Sequence, residues 1–317
     1  MEWRPTAGLD VLATRAHLLE LTRDFFSAGG VMEVQTPVLV SSSCPDPNIP
    51  SIVATPHGGR TMFLHTSPEH AMKRMLCAGS GDIYQIAPVF RDGEAGRHHN
   101  PEFTLIEWYR TGYDRQAMAA ETVVLIKTLL QREAVVEQIT YADAFLRHAD
   151  IDPHSATVDD LAAACGRNDI ARPESVPATR DAWLDLLLTS VVVPAFNADK
   201  IYVLYDYPAS QAALARVRDT TPAVAERFEV FYGGLELANG FHELSDATEQ
   251  RKRFLSEQAR YAITGRTTPP VDERLLQALE HGLPDCAGVA LGFDRVVMLA
   301  AGRNSLSEVL AFPYDRA

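Results

Sequence analysis

The chain has 317 residues, 46% of them apolar, and 29 Lys plus Arg against 42 Asp plus Glu give it a net charge of −13. That is enough apolar material for a substantial core without staples, and the acidity disfavours non-specific adhesion to nucleic acid, so an anionic partner must meet a local basic patch. Four scattered cysteines (Cys44, Cys77, Cys165 and Cys286), no CxxC pair, no basic N-terminal segment before an apolar run and no bilayer-length apolar stretch argue against a disulfide framework, a cysteine zinc site, export and membrane insertion, and the expected setting is the reducing cytoplasm.

Taken in chain order, Leu12, Leu18, Leu19, Leu21, Phe25 and Phe26 fall at helical spacing between Leu9 and Phe26, and Gly29-Gly30 ends the pattern. A short strand over Val31 to Gln35 follows, then a Pro- and Ser-rich loop, then a strand over Thr61 to His65. Thr66 and Ser67 offer caps and Pro68 suits the first turn of a helix that runs to Cys77. Ile83 to Arg91 reads as a buried strand that turns and returns antiparallel from Glu102. Residues 115 to 195 read as a largely helical insertion, broken near Pro153 and between Arg172 and Pro177. Strands are expected at Tyr202 to Tyr205, Glu229 to Tyr232 and Leu235 to His242, the last two joined as a hairpin by Gly233-Gly234. Helices over Ser245 to Thr264 and Asp272 to His281, a strand over Gly288 to Gly292 and a final helix complete an α+β chain, an antiparallel sheet flanked by helices within one domain over 1–317.

Three stretches carry chemistry. In GRHHNPEFTLIEWYR, a basic loop with Arg97, His98 and His99 follows Arg91 and leads into a strand with Phe103, Leu105, Glu107 and Tyr109 on one face. Guanidinium and imidazole groups on a hairpin loop suit a flexible anion such as a triphosphate, and an aromatic beside them can stack on a base; a solvated basic turn is the alternative. In FEVFYGGLELANGFHE, a two-residue turn places Phe231 opposite Glu236 and makes Glu229 and Glu236 diagonal neighbours. Paired carboxylates repel unless a cation such as Mg²⁺ lies between them and phosphate oxygens, or unless they form a solvated acidic face. Asn239, Phe241 and Glu243 have the opposite alternation phase from Glu236, so a single site requires a bulge between Glu236 and Asn239. In GVALGFDRVVM, a strand and glycine turn place Arg295 in the first turn of an apolar helix, where it can reach a phosphate or, as a surface residue, pair with an acid.

Together with FFSAGGVMEVQTP, these stretches resemble the motifs of class II aminoacyl-tRNA synthetases along nearly the whole chain, and HNPEFTLIEWY and LELANGFHEL are most similar to the lysyl-tRNA synthetases. With the first motif near residue 25, no room is expected for an anticodon-binding domain, so anticodon-dependent tRNA binding is not expected, and the chain is identified as a member of the shortened elongation factor P lysine ligase family. TSPEHAMKRML, YPASQ and LANGFHELSDA belong to that match, as do Ser67 and Ala290, where synthetases typically have Ala and Gly.

The resemblance implies ATP-dependent adenylation of (R)-β-lysine, its ligation to a lysine of elongation factor P, a cofactor set of ATP and Mg²⁺, and a homodimer. It implies Arg91 at the α-phosphate and substrate carboxylate, Phe103 on adenine, Arg295 at the γ-phosphate, and Asp92, Gly93, His99, Asn100, Glu236, Leu237 and Gly292 around ATP. Glu229 and Glu236 would hold Mg²⁺; Ser67, Glu69, Tyr109, Asn239, Phe241, Glu243 and Ala290 would surround the amino acid, with Glu107 at its distal amine. The family pattern Phe-Arg-Asn-Glu is broken here by Phe90-Arg91-Asp92-Gly93, and Glu94 is the expected replacement for the missing carboxylate. A free-standing adenylate-forming enzyme for another amino acid or carrier and a non-catalytic amino-acid sensor are the competing readings.

Overall fold

The computed structural model describes residues 3–173 and 178–317, so part of the break expected between Arg172 and Pro177 lies outside the described residues. The chain forms α1 (Leu9–Ala28), β1 (Met32–Glu33), β2 (Leu39–Val40), β3 (Val53–Ala54), β4 (Met62–Leu64), α2 (Glu69–Cys77), β5 (Ile83–Phe90), β6 (Glu102–Thr111) and α3 (Arg115–Leu130). It continues through β7 (Val135–Thr140), α4 (Tyr141–Ala149), α5 (Val158–Arg167), α6 (Arg180–Leu187), β8 (Lys200–Pro208), β9 (Val217–Arg218), β10 (Val224–Tyr232) and β11 (Leu235–His242). The last elements are α7 (Ala247–Ile263), α8 (Glu273–His281), β12 (Cys286–Gly292) and α9 (Phe293–Ala300). Antiparallel pairing dominates and helices flank the strands, the α+β class expected. No helix among the described residues is long and apolar enough to cross a membrane.

Two compact units emerge. The first takes in Met1–Asp114, Val124–Arg132 and Ser245–Ala317; the second takes in Arg115–Val123 and Glu133–Leu244. In the first, the strand order is β1-β5-β6-β12, with β1 parallel to β5 and the other pairs antiparallel. Its α1 buries Val11, Leu18, Thr22 and Phe26, spaced seven and four apart on one stripe. Phe26 stacks on Tyr84 at 4.3 Å and meets Trp108 edge-on at 5.3 Å, so the Trp108 phase of β6 belongs to the core. Burying each such aromatic contributes about 1.5–3 kcal/mol. The opposite phase of β6 is thereby left for other work.

In the second unit the order is β11-β10-β8-β7, with β9 on β10, and β7 runs parallel to β8. A core of Tyr141, Phe145, Leu161, Leu184, Leu187, Phe196 and Tyr207 joins the helices to these strands. The stretch 115–195 holds α3, α4, α5 and α6 and also the strand Val135–Thr140, which sequence reading did not single out; as an edge strand paired on one side only, it needs no clean alternation to persist. One expectation needs correction. The strand expected over Val31 to Gln35 holds only Met32–Glu33, since only these residues pair with β5.

Candidate active site

The first unit presents a floor made of one face of three strands. Glu107 of β6 lies between Gln85 of β5 and Ala290 of β12 in register, with Tyr109 opposite Ile83 and Gly288, and Phe103 opposite Val89. Ala87, Val89 and Leu105 form the apolar part of this floor, with Phe103 and Ala290 packed against it. At its polar end Glu107 is buried, and both of its carboxylate oxygens accept hydrogen bonds: Ser67 donates to Oε2 at 2.7 Å and Tyr109 to Oε1 at 2.7 Å. The Ser67 hydroxyl also accepts from the Glu69 amide at 2.9 Å, just ahead of α2, whose N-cap is Pro68. The Glu69 carboxylate receives Lys73 Nζ at 2.7 Å one helical turn on. The structure thus brings together Ser67, Glu69, Glu107, Tyr109 and Ala290.

A loop carries the cationic groups at the other end of β6. The Arg91 guanidinium lies 5.0 Å from the Phe103 ring centroid and 3.6 Å from the Glu94 carboxylate, and its Nε is buried without a hydrogen-bond partner. Gly93 turns the chain with φ +77°, a conformation that favours glycine, and lets Glu94 fold back towards Arg91. Arg295 donates to His99 Nε2 at 3.0 Å, which requires an unprotonated acceptor nitrogen. Burial and then the Arg295 charge hold the His99 pKa below its ordinary value, in keeping with that neutral ring. Arg97 and Asn100 are committed within the protein: Arg97 donates to the Asn304 carbonyl at 2.7 Å, while Asn100 donates to the Glu102 carbonyl at 2.6 Å and accepts from the Tyr314 amide at 3.0 Å. Asp92 is fixed through its backbone, which donates to the Pro50 carbonyl at 2.8 Å, and Gly292 is the N-cap of α9.

The second unit holds the acidic hairpin. Phe231 stands opposite Glu236, after which the register slips so that Val230 faces Ala238 and Glu229 faces Asn239. Leu237 is the extra residue, and this bulge sits where a single site requires it. Because of the slip, Glu236 shares one face of the hairpin with Glu229, Asn239 and Phe241. Glu243 is buried and bridges to Ala215. Arg227 pairs with Glu229 and lies 4.5 Å from the Tyr207 ring centroid. Burial raises the Glu229 pKa above the usual carboxylate value, Arg227 opposes the rise and the charge on Glu236 adds to it. Mutually repelling carboxylates on one face are a donor set that a divalent cation fits, since Mg²⁺ takes one or two protein carboxylates and completes its shell with phosphate and water. The Asn239 Oδ1, buried without a hydrogen-bond partner, is a further acceptor on that face.

The family model for tRNA synthetases class II (D, K and N) matches residues 1–316. The chain belongs to this family. Proteins named elongation factor P--(R)-beta-lysine ligase from Yersinia enterocolitica serotype O:8 / biotype 1B and from Edwardsiella ictaluri are each 45% identical to it over 99% of this chain and 98% of theirs. The protein of the same name from Salmonella typhi is similar to the same degree, 45% over 99% and 98%.

Within this class II synthetase chain, four residues escape a reading of motifs. Asp294, next to Arg295, is buried, pairs with Arg15 of α1 and accepts from the Thr104 amide at 2.8 Å, while Arg15 also donates to the Thr104 hydroxyl at 2.8 Å. This clamp ties α9 to β6 beside Phe103, and a polar residue on a helix gives no hint of it. Lys73, whose side chain is only 1% exposed, was foreshadowed by its spacing of four from Glu69. Gln85 is buried on the floor opposite Glu107, and its Oε1 has no hydrogen-bond partner. One polar residue in the apolar run IYQIAPVF was the available signal.

Proposed function

We propose that the chain activates (R)-β-lysine with ATP and transfers it to a lysine side chain of elongation factor P. The observation that carries this reading is the polar end of the β6 floor. A buried carboxylate, Glu107, held in place by Ser67 and Tyr109 and facing an unsatisfied Gln85 acceptor, is a receptor for an ammonium group. The names of the relatives supply the amino acid and the acceptor protein.

On this reading the β-lysine carboxylate attacks the α-phosphorus of ATP, the bond to the bridging oxygen breaks and pyrophosphate leaves. Arg91 offsets charge on the α-phosphate and aligns the carboxylate, Phe103 stacks on adenine, and Arg295 holds the γ-phosphate. Asp92, Gly93, His99, Asn100, Leu237 and Gly292 shape the nucleotide's surroundings, with Asn100 and Asp92 doing so through the loop they fix. Glu229 and Glu236 would hold Mg²⁺, which screens phosphate charge when bound. Ser67, Glu69, Asn239, Phe241, Glu243 and Ala290 orient the amino acid, and the methyl of Ala290, in register with Glu107, sets the depth of the floor. In the second half an acceptor amine attacks the activated carbonyl, the carbon–oxygen bond to AMP breaks, and the amine loses a proton. The functional unit is proposed to be a cytoplasmic homodimer.

Pyrophosphate exchange with a panel of α- and β-amino acids tests the activation step. (R)-β-lysine should support the fastest exchange, and Glu236→Gln should abolish it while leaving the fold intact. Exchange with none of the panel would leave a sensor rather than a ligase.

A further inference from the structure

The stretch YPASQ, Tyr207 to Gln211, contributes none of the proposed ligand contacts, yet it lies against the acidic hairpin of the second unit. β8 ends in it at Pro208, and Ala209–Gln211 form one tight turn. Two side chains fasten this turn to α6: Ser210 donates to the Asp181 carboxylate and Gln211 to that of Asp185, each at 2.7 Å. The two acids are four residues apart and so lie on one face of the helix.

The turn provides the seat for Arg227 of β10. Opposite Asp206 of β8, β10 carries two residues, Glu226 and Arg227, since Ala225 pairs with Tyr207 and Phe228 with Tyr205. A bulge of this kind re-aims the side chains beside it. The Arg227 guanidinium lies 4.5 Å from the Tyr207 ring centroid, donates from Nη1 to the Gln211 backbone carbonyl at 3.0 Å and donates from Nη2 to Oε1 of Glu229. The side chains of Arg227 and Glu229 are only 18% and 7% exposed, so solvent and salt screen the pair little. Two apart on one strand, they share the hairpin face that also carries Glu236 and Asn239.

We propose that Arg227 is a positioning residue for the divalent cation: seated by the YPASQ turn, it fixes the Glu229 carboxylate in the orientation in which, together with Glu236, it receives Mg²⁺. The inference rests on the proposed role of these two carboxylates. A planar guanidinium bonded at both ends and faced by an aromatic ring is a fixed support, not a stand-in that swings away when a metal arrives. By taking Oε1 it stops the carboxylate from turning about its last torsion and leaves the other oxygen for the cation. It also offsets part of the repulsion between Glu229 and Glu236 while no cation is bound. Partners that hold a ligating carboxylate in this way typically contribute about 10- to 100-fold to metal affinity.

The test titrates Mn²⁺, in place of Mg²⁺, into the full chain and follows the electron paramagnetic resonance signal of the free ion, with thermal melts of every variant alongside. Arg227→Met should weaken Mn²⁺ binding about 10- to 100-fold. Arg227→Lys should recover part of the loss, because it keeps the charge and one hydrogen bond. Gln211→Met should give a smaller loss in the same direction, since the bond it removes, to Asp185, is open to solvent. A lower Tm with unchanged Mn²⁺ affinity in Arg227→Met makes Arg227 a support of the fold alone and overturns the proposal, and so does tighter binding, the mark of a guanidinium that competes with the cation. Should Arg227→Met not fold, unchanged affinity in both Arg227→Lys and Gln211→Met has the same force. Mn²⁺ bound by Glu236→Gln as by wild type, or not bound by wild type at all, overturns the metal assignment and this inference with it. If the wild type binds Mn²⁺ but exchanges pyrophosphate with no amino acid, the ligase reading falls, yet the titrations still decide the role of Arg227.

Discussion

At the level of single residues, the departure at Gly93 is the point where sequence and structure constrain each other most. With φ at +77° and no atom within 4 Å of where a Cβ would stand, the obstacle to a side chain there is the backbone rather than space. Restoring the family carboxylate by Gly93→Glu should cost about 1–2 kcal/mol of loop strain, so it should fail to tighten ATP binding. Glu94→Ala should raise the KM for ATP, because Glu94 stands 3.6 Å from Arg91 and is the carboxylate within reach of that guanidinium in the loop. Steady-state ATP titrations of both variants decide this; an unchanged KM in Glu94→Ala means that the turn is its only role. His99 gives a pH signature. Its pKa is lowered on folding, so its contribution to stability is present above the ordinary histidine value of 6.5 and is lost as pH falls through the lowered value. Thermal melts below pH 6.5 should therefore show a shallower acid loss for His99→Gln than for wild type, and identical slopes would refute the His99–Arg295 coupling.

Elements place these residues, and some of that placement was legible beforehand. The hairpin at Gly233-Gly234 follows from turn chemistry, and its bulge follows from requiring Glu236 and Asn239 to share a face; Leu237 supplies it. The alternation of β6 separated Trp108, which packs on Phe26, from the floor residues Phe103, Glu107 and Tyr109. The edge strand β7 was hidden because its pattern follows neither period, and the Arg15–Asp294–Thr104 clamp because no local rule links residues 279 positions apart. Asn100 and Arg97 could be recognised by type, but not that their side chains hold the chain rather than point to a ligand. The clamp makes its own prediction. Arg15→Met leaves Asp294 buried without its cation and with the Thr104 amide as the remaining link of the clamp between α9 and β6, so the KM for ATP should rise about tenfold or more with a smaller effect on kcat, and Arg15→Lys should recover part of it. An equal fall in activity for all substrates with an unchanged KM would mean that the clamp serves stability alone.

On the scale of the whole molecule, apolar side chains of the first-motif region lie bare: Leu9 is 83% exposed, Met32 49% and Leu39 40%. Such groups on one copy can be covered by the same patch of a second in an isologous contact, and sedimentation at micromolar concentration should give twice the chain mass. A monomer under those conditions would count against the dimer. Leu9→Asp combined with Met32→Asp should shift the equilibrium to monomer without unfolding either unit.

The strapping of the ATP-side loop to the chain's last segment has a practical consequence. Arg97 is held by Asn304, its own carbonyl accepts from the Leu306 amide at 2.9 Å, and Asn100 is held by Tyr314, only three residues before the final Ala317. The loop is therefore half anchored. Residues 93–95 are left with backbone hydrogen bonds only inside the loop, and the segment 304–314 acts as the splint for the remainder. A change within residues 304–314 would load that splint directly, and so would one at Arg4, Thr6 or Ala7, whose backbone groups bond to Arg316, Ala311 and Leu310.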